Sequence, residues 1–170
     1  MKGKKISLIL ILMMVIILIA GCYESSLELD FDEEGSMKIE SEIIGGTYAT
    51  RDDMNKAFWQ LKIIFPELDL NYYTRREGKN FRFIRHDPIS HQEIDIIEWQ
   101  EEDGSYTFEM EIPAIYGEEE DSDDLFLDIV VIMPADIDMA NTTNVEDNRA
   151  RWSIRERDLH KDITLRAFTE

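Results

Sequence analysis

A single cysteine, Cys22, in a chain of 170 residues excludes any intramolecular disulfide and any zinc site built from several thiolates. Basic residues are scarce: 18 lysines and arginines stand against 37 acids, giving a net charge of −19 and an isoelectric point near 4.4. Phosphate backbones would be repelled over most of such a surface, so nucleic acid is excluded as a partner. The three histidines, His86, His91 and His160, include no helical i, i+4 pair and no His-Glu-x-x-His motif. There is no Gly-x-Ser-x-Gly nucleophile elbow and no glycine-rich phosphate loop. Carboxylates are so numerous that no pair stands out as an acid and base. No enzyme, metal or cofactor is expected.

The long apolar runs are concentrated at the start. Lys2, Lys4 and Lys5 precede an apolar stretch from Ile6 to Ala20, broken only by Ser7, which closes on Ile19-Ala20-Gly21-Cys22. About 15 apolar residues fall short of the ~20 that cross a bilayer as a helix, and small residues before a cysteine suit a lipoprotein signal peptidase. Residues 1–21 therefore read as a signal peptide, and Cys22 as the acylated residue. Residues 22–26 read as lipidated cysteine and short tether, and residues 27–170 as one domain. Cleavage takes three lysines and no acid from a chain of net charge −19, leaving −22. Acyl chains on Cys22, worth about 0.8 kcal/mol per buried methylene, would anchor the domain without its own insertion. The expected location is extracytoplasmic, lipid-anchored to a bacterial cell membrane.

Leu27, Leu29 and Phe31 alternate with Glu28, Asp30 and Asp32, and Met37, Ile39 and Ile43 alternate after Glu33-Glu34-Gly35, which predicts a β-hairpin. Thr50-Arg51-Asp52-Asp53 resembles a capping box, and Met54, Ala57, Phe58, Leu61, Ile64 and Phe65 form a helical stripe that Pro66 ends. A second hairpin is expected from residues 70–76 and 81–85, stopped by Pro88. Ser90 with Glu93 suggests another capping box, opening a short helix with Ile94, Ile97 and Trp99. Strands follow at Tyr106 to Ile112, Leu125 to Met133, Arg151 to Ile154 and Ile163 to Phe168. The expected fold class is α+β: an antiparallel sheet of hairpins with one long and one short helix packed on it.

Cys22, Leu27-Glu28-Leu29-Asp30-Phe31-Asp32, Gly35, Val130 to Pro134, Asn141, Asn148, Trp152 and Thr164-Leu165-Arg166-Ala167 together resemble the LppM-type lipoprotein domain of bacteria. Ala135-Asp136 stands where similar proteins often have glycine, and the C-terminal membrane helix of many of them is absent from this sequence. The resemblance implies an α+β fold reminiscent of lipid-binding domains, no catalytic centre, and handling of membrane lipids or glycolipids. It transfers no binding residue.

Four charged clusters invite a functional reading. Asp30, Asp32, Glu34 and Gly35 match the first, third, fifth and sixth places of a calcium loop, but Lys38 and Ser41 fall where ligands should follow, so a hairpin turn is expected. The acidic run Glu118 to Asp124 reads as a solvated loop. The exception to the acidic background is the second hairpin, where Arg75, Arg76, Lys79, Arg82 and Arg85 face only Glu77 within residues 75–86. Arg75, Arg76, Arg82 and Arg85 could fork onto lipid phosphates beside an aromatic wall that includes Tyr72 and Phe83. They could equally pair across strands with the surplus acids. Arg149, Arg151, Arg155 and Arg157 around Trp152 pose the same alternative. Phe58, Trp59 and Phe65 are expected in the core, His86, His91 and His160 in structural or surface roles, and Asn141-Thr142-Thr143 is a formal glycosylation sequon without weight in a bacterial lipoprotein.

Two functions are therefore expected: a non-catalytic domain that binds lipid or glycolipid, with an apolar cavity opening near residues 72–85, or an accessory envelope lipoprotein that contacts another protein through a sheet edge over a filled core. A hydrolase would instead show a convergent cleft of perturbed acids.

Overall fold

The computed structural model describes residues 23–45, 50–67, 74–77, 80–117 and 122–170. Strand β1 (Tyr23–Phe31) pairs antiparallel with β2 (Ser36–Gly45), as the alternation of Leu27, Leu29 and Phe31 with acids predicts. The turn between them is built by Asp32, whose Oδ1 accepts hydrogen bonds from the amides of Glu34 at 3.0 Å and Ser36 at 2.8 Å. Asp32 is thus a turn former at its place in the calcium-like run. Gly35 closes the turn at φ +74°, and a Cβ there would lie 2.5 Å from Trp99 Cδ1 and 2.6 Å from His91 Nδ1. Glycine is required on both counts.

Helix α1 (Arg51–Ile64) follows Thr50 and ends before Pro66, as expected. Ala57, Leu61 and Ile64 are buried, together with Phe65 just beyond, and α1 packs on β1 and β2. Strands β3 (Thr74–Glu77) and β4 (Asn80–Ser90) form the second hairpin. Pro88 does not stop β4. The β2–β4 register breaks between Met37 and Ile39, opposite Ile89 and Arg85, so Pro88 sits in a bulge where its missing N–H costs no ladder bond. The Ser90–Glu93 capping box is present, but it opens a 3₁₀ turn, His91–Glu93, and no second α-helix follows. Ile97 and Trp99 belong to strand β5 (Ile97–Glu102): their spacing of two is that of a strand, not a helix.

Strands β6 (Ser105–Ile112) and β7 (Leu125–Ile132) lie where expected. Two short strands interrupt an expected loop, β8 (Ile137–Ala140) and β9 (Asn144–Glu146), before β10 (Arg149–Arg155), a 3₁₀ turn (Glu156–His160) and β11 (Ile163–Thr169). Polar residues at Asp136, Asp138 and Asn144 hide the alternation in β8 and β9.

The strands make two sheets instead of the one expected. The larger has the order β3-β4-β2-β1-β7-β10-β9 and the smaller β5-β6-β11-β8. Among the described residues the fold is mostly sheet with one α-helix, broadly α+β. The β1–β7 pair is parallel, with Ser26 opposite Asp128 and Asp30 opposite Ile132. Phe126 to Val131 are consequently buried on both faces of β7, apolar except for Asp128.

Between the layers Phe31 stacks on Trp99 with ring centroids 4.7 Å apart and planes 4° from parallel, and meets Phe108 edge-on at 5.5 Å. Each buried aromatic of this kind stabilises the fold by about 1.5–3 kcal/mol. Asn141 ties the sheets through hydrogen bonds. Its Oδ1 accepts from Trp152 Nε1 in β10 and from the amide of Arg166 in β11, both at 2.9 Å, while its Nδ2 donates to the carbonyl of Thr164 at 2.7 Å.

Two substitutions test this construction. Gly35→Ala should destabilise the domain by at least about 2 kcal/mol, through the strained backbone and the clash with Trp99. Asn141→Ala should cost about 1–2 kcal/mol by stranding the Trp152 indole N–H. Urea unfolding of both variants against the parent measures the differences.

Candidate functional site

Cys22 lies outside the described residues, but the residue after it opens β1. Tyr23 pairs with Gly45 and Ser26 with Glu42, so Tyr23–Ser26, expected as tether, are already in the sheet. Polar side chains disguised them: Ser25 is buried, and Ser41 Oγ donates to the carbonyl of Ser26 at 2.8 Å. The start of β1 thus defines one end of the larger sheet. At that same end lie Gly45, the paired Glu77 and Asn80, the start of β7 at Leu125, and Arg155, which pairs with Leu125.

Register places the hairpin residues with respect to this end. Arg75 pairs with Arg82, Arg82 with Glu42, and Glu42 with Ser26, forming one row. Arg76 falls on the next row with Phe81 and the buried Ile43. Phe83 falls on the row of Ser41, and Arg85 on that of Ile39. Adjacent rows belong to opposite sides of the pleat. Arg75 and Arg82 therefore share a register row, while Arg76, Phe83 and Arg85 fall on other rows. Tyr72 lies outside the described residues, as do the side chains of Arg75, Arg76, Phe83 and Arg85, and with them the expected cavity near residues 72–85. Arg82 is a cross-strand partner: its Nε donates to Glu40 Oε1 at 2.9 Å and its Nη2 to the same oxygen.

The second arginine cluster is likewise built into charge ladders. Arg149 Nη2 lies 2.6 Å from Glu28 Oε2, Arg151 pairs with the buried Asp128, and Arg157 Nη1 is 2.5 Å from Asp123 Oδ1. Asp128 also accepts from Ser153 Oγ at 2.5 Å. This hydrogen bonding, with the attraction of the same carboxylate, holds the Arg151 guanidinium above its already high pKa. These pairs give the outer face of the larger sheet an interleaved charge pattern instead of an open cationic surface. A groove of about 570 Å³ runs beside them along β9 and β10, lined by Asn144, Val145, Glu146, Arg149 and Arg151 among others.

The smaller sheet is acidic. A groove of about 260 Å³ is lined by Asp95, Glu98, Glu109, Glu111 and Asp162 with Ile96 and Pro113. Arg166 grips Glu109 with two hydrogen bonds, at 2.8 and 2.9 Å. That bonding, with the arginine's charge, holds the Glu109 carboxyl below the usual carboxylate range. A proton donor needs the opposite shift. Among the described residues no group of three or more histidines, cysteines or acids is placed to hold a metal ion. His91 Nδ1 meets the Gly35 carbonyl at 3.1 Å and His160 Nδ1 the Arg157 carbonyl at 2.7 Å.

One residue that apolar character placed in the core is not there. Trp59 is 58% exposed and Ile63 55% exposed, on the side of α1 turned away from Ala57, Leu61 and Ile64. Their angular position on the helix carried this signal, since neither falls on the stripe 57, 61, 64. Lys62 Nζ sits 5.2 Å from the centroid of the Trp59 ring. Phe65 is fully buried, as expected, and Phe58 is partly buried against the core.

The Glu109–Arg166 pair makes a pH prediction. Because the folded-state pKa of Glu109 is lowered, its contribution to stability is full above the ordinary glutamate pKa and disappears as the pH falls through the lowered value. The stability difference between the parent and Glu109→Gln should be flat near neutrality and shrink on acidification, in urea titrations across that range.

No family model matches the sequence, and no curated protein matches it. The chain is similar in structure to the folded domain of LppM from Mycobacterium tuberculosis, solved by NMR, with a TM-score of 0.48 and 10% sequence identity over 86% of this chain and 88% of that one, the domain type that its sequence resembles.

Proposed function

We propose that this chain is a non-catalytic bacterial lipoprotein, anchored outside the cytoplasm by acyl chains on Cys22, whose domain works at the membrane surface and engages lipid or glycolipid. The observation that carries this is the start of β1 at Tyr23, directly after the lipobox cysteine. An acyl anchor at that point would hold the end of the larger sheet at the headgroups. No helix among the described residues is long and apolar enough to cross a membrane. The Glu77–Asn80 pair lies at the same end, with Arg75 and Arg82 one row in from Arg76 and Phe81, and this is where lipid phosphates would meet arginine.

A second reading, an accessory role through protein contacts, draws support from a different place. Met139 on β8 is 60% exposed and Val145 on β9 38%, on strands that touch where the edges of the two sheets meet. Short exposed edges of this kind accept added strands.

The anchor is tested by growing bacteria that express the full chain with an alkyne-bearing palmitate. The parent should incorporate the label and show an intact mass that begins at acylated Cys22, and Cys22→Ser should take up none. An unlabelled parent that retains residues 1–21 would contradict the proposal.

A further inference from the structure

Helix α1 presents an outward stripe, Asp52, Asn55, Lys56, Trp59, Lys62 and Ile63, at spacings of three and four. It is polar in the first two turns and changes character in the last two. Trp59 and Ile63 are among the few large apolar side chains exposed in the described residues, and they are neighbours at i, i+4. Lys62 lies over the indole. A tryptophan with an apolar neighbour and a lysine that can extend past it is the composition that settles at the boundary between lipid headgroups and acyl chains.

At Lys56 the helix comes near the end of the sheet where β1 starts. Lys56 Nζ lies 3.8 Å from Glu156 Oε1, and Glu156 follows Arg155, which pairs with Leu125 at that end. The apolar segment of residues 6–20 and Cys22 lie outside the described structure and stop where β1 begins. One extended residue spans only about 3.3 Å, so an anchor at Cys22 leaves the domain no room to stand away from the bilayer. Two acids near that end are already neutralised, Asp123 by Arg155 and Arg157 and Glu156 by Lys56, which lowers the electrostatic cost of approach.

We propose that Trp59, with Ile63 and Lys62, is a second membrane contact: it seats α1 in the headgroup region beside the acyl anchor and fixes the orientation of the domain on the bilayer. This rests on the anchoring of Cys22 proposed above. It concerns a surface outside the β3–β4 hairpin and requires no bound ligand.

Tryptophan fluorescence isolates the patch, because Trp99 and Trp152 are buried and Trp59 is the exposed indole. The full chain, acylated in bacteria, is reconstituted into vesicles of phosphatidylglycerol and phosphatidylethanolamine, part of the lipid carrying bromine on its acyl chains close to the headgroup. Relative to the chain in detergent-free vesicles without bromine, the emission should be quenched. It should also shift to the blue relative to the chain after detachment from lipid, and resist acrylamide. Trp59→Phe should lose the bromine-quenched component while its unfolding midpoint stays unchanged. Two results overturn the patch alone: an acylated chain whose Trp59 stays open to acrylamide, and shielding from acrylamide without quenching by bromine, which would mean that protein covers the indole. Intact mass of the same preparation keeps the two proposals apart, since a chain with no acyl group on Cys22 overturns the anchor and the patch with it.

Discussion

The pairing of β1 with β2 on one side and β7 on the other is the constraint on which the remaining structure depends. A hairpin partner needs only a turn, but a parallel partner needs a crossover. The chain between β2 and β7 is that crossover, and α1, the second hairpin and the first half of the smaller sheet are built within it. β1 lies inside the larger sheet and not at its edge: its first residue, Tyr23, pairs with Gly45 of β2, and the pairing with β7 begins at Ser26. Whatever precedes Tyr23 is therefore attached to a strand of the sheet and not to a free tether.

The second constraint is the closure of the two sheets on each other. The Phe31–Trp99 stack supplies apolar contact, Gly35 allows it by leaving room for the indole, and Asn141 supplies the directional tie between Trp152 and β11. Asn148 acts within the larger sheet, where its Nδ2 donates to the Met133 carbonyl at 2.8 Å and extends the β7–β10 ladder. Gly35 and Asn141 are the residues of these that join the two layers.

Periodicity made much of this legible. The first hairpin, the buried stripe of α1, the alternating β6 and the largely apolar β7 all follow from which positions repeat. Sequence patterns were silent wherever a long-range partner decided the outcome. The parallel β1–β7 pair and the second sheet depend on which strands meet, and local spacing does not encode that. Ser25 hid the first turns of β1 because a buried serine looks like a linker, and Pro88 looked like a stop because the bulge that accommodates it needs β2 to exist. Trp59 shows the opposite failure: apolar character argued for burial, while its angle on the helix argued for exposure, and the angle decided. Of the arginines singled out beforehand, Arg82 is engaged in a cross-strand pair, and Arg75 shares its row while Arg76 and Arg85 do not.

On the function proposed above, the domain would sit directly on the membrane, held at the start of β1 without a spacer. Neutron reflectometry of the acylated full chain on a supported bilayer measures this directly, by resolving the protein layer from the lipid and from water. Protein density that begins within the headgroup layer, with no hydrated gap beneath it, is the predicted profile. A water layer separating the bilayer from the protein would contradict it.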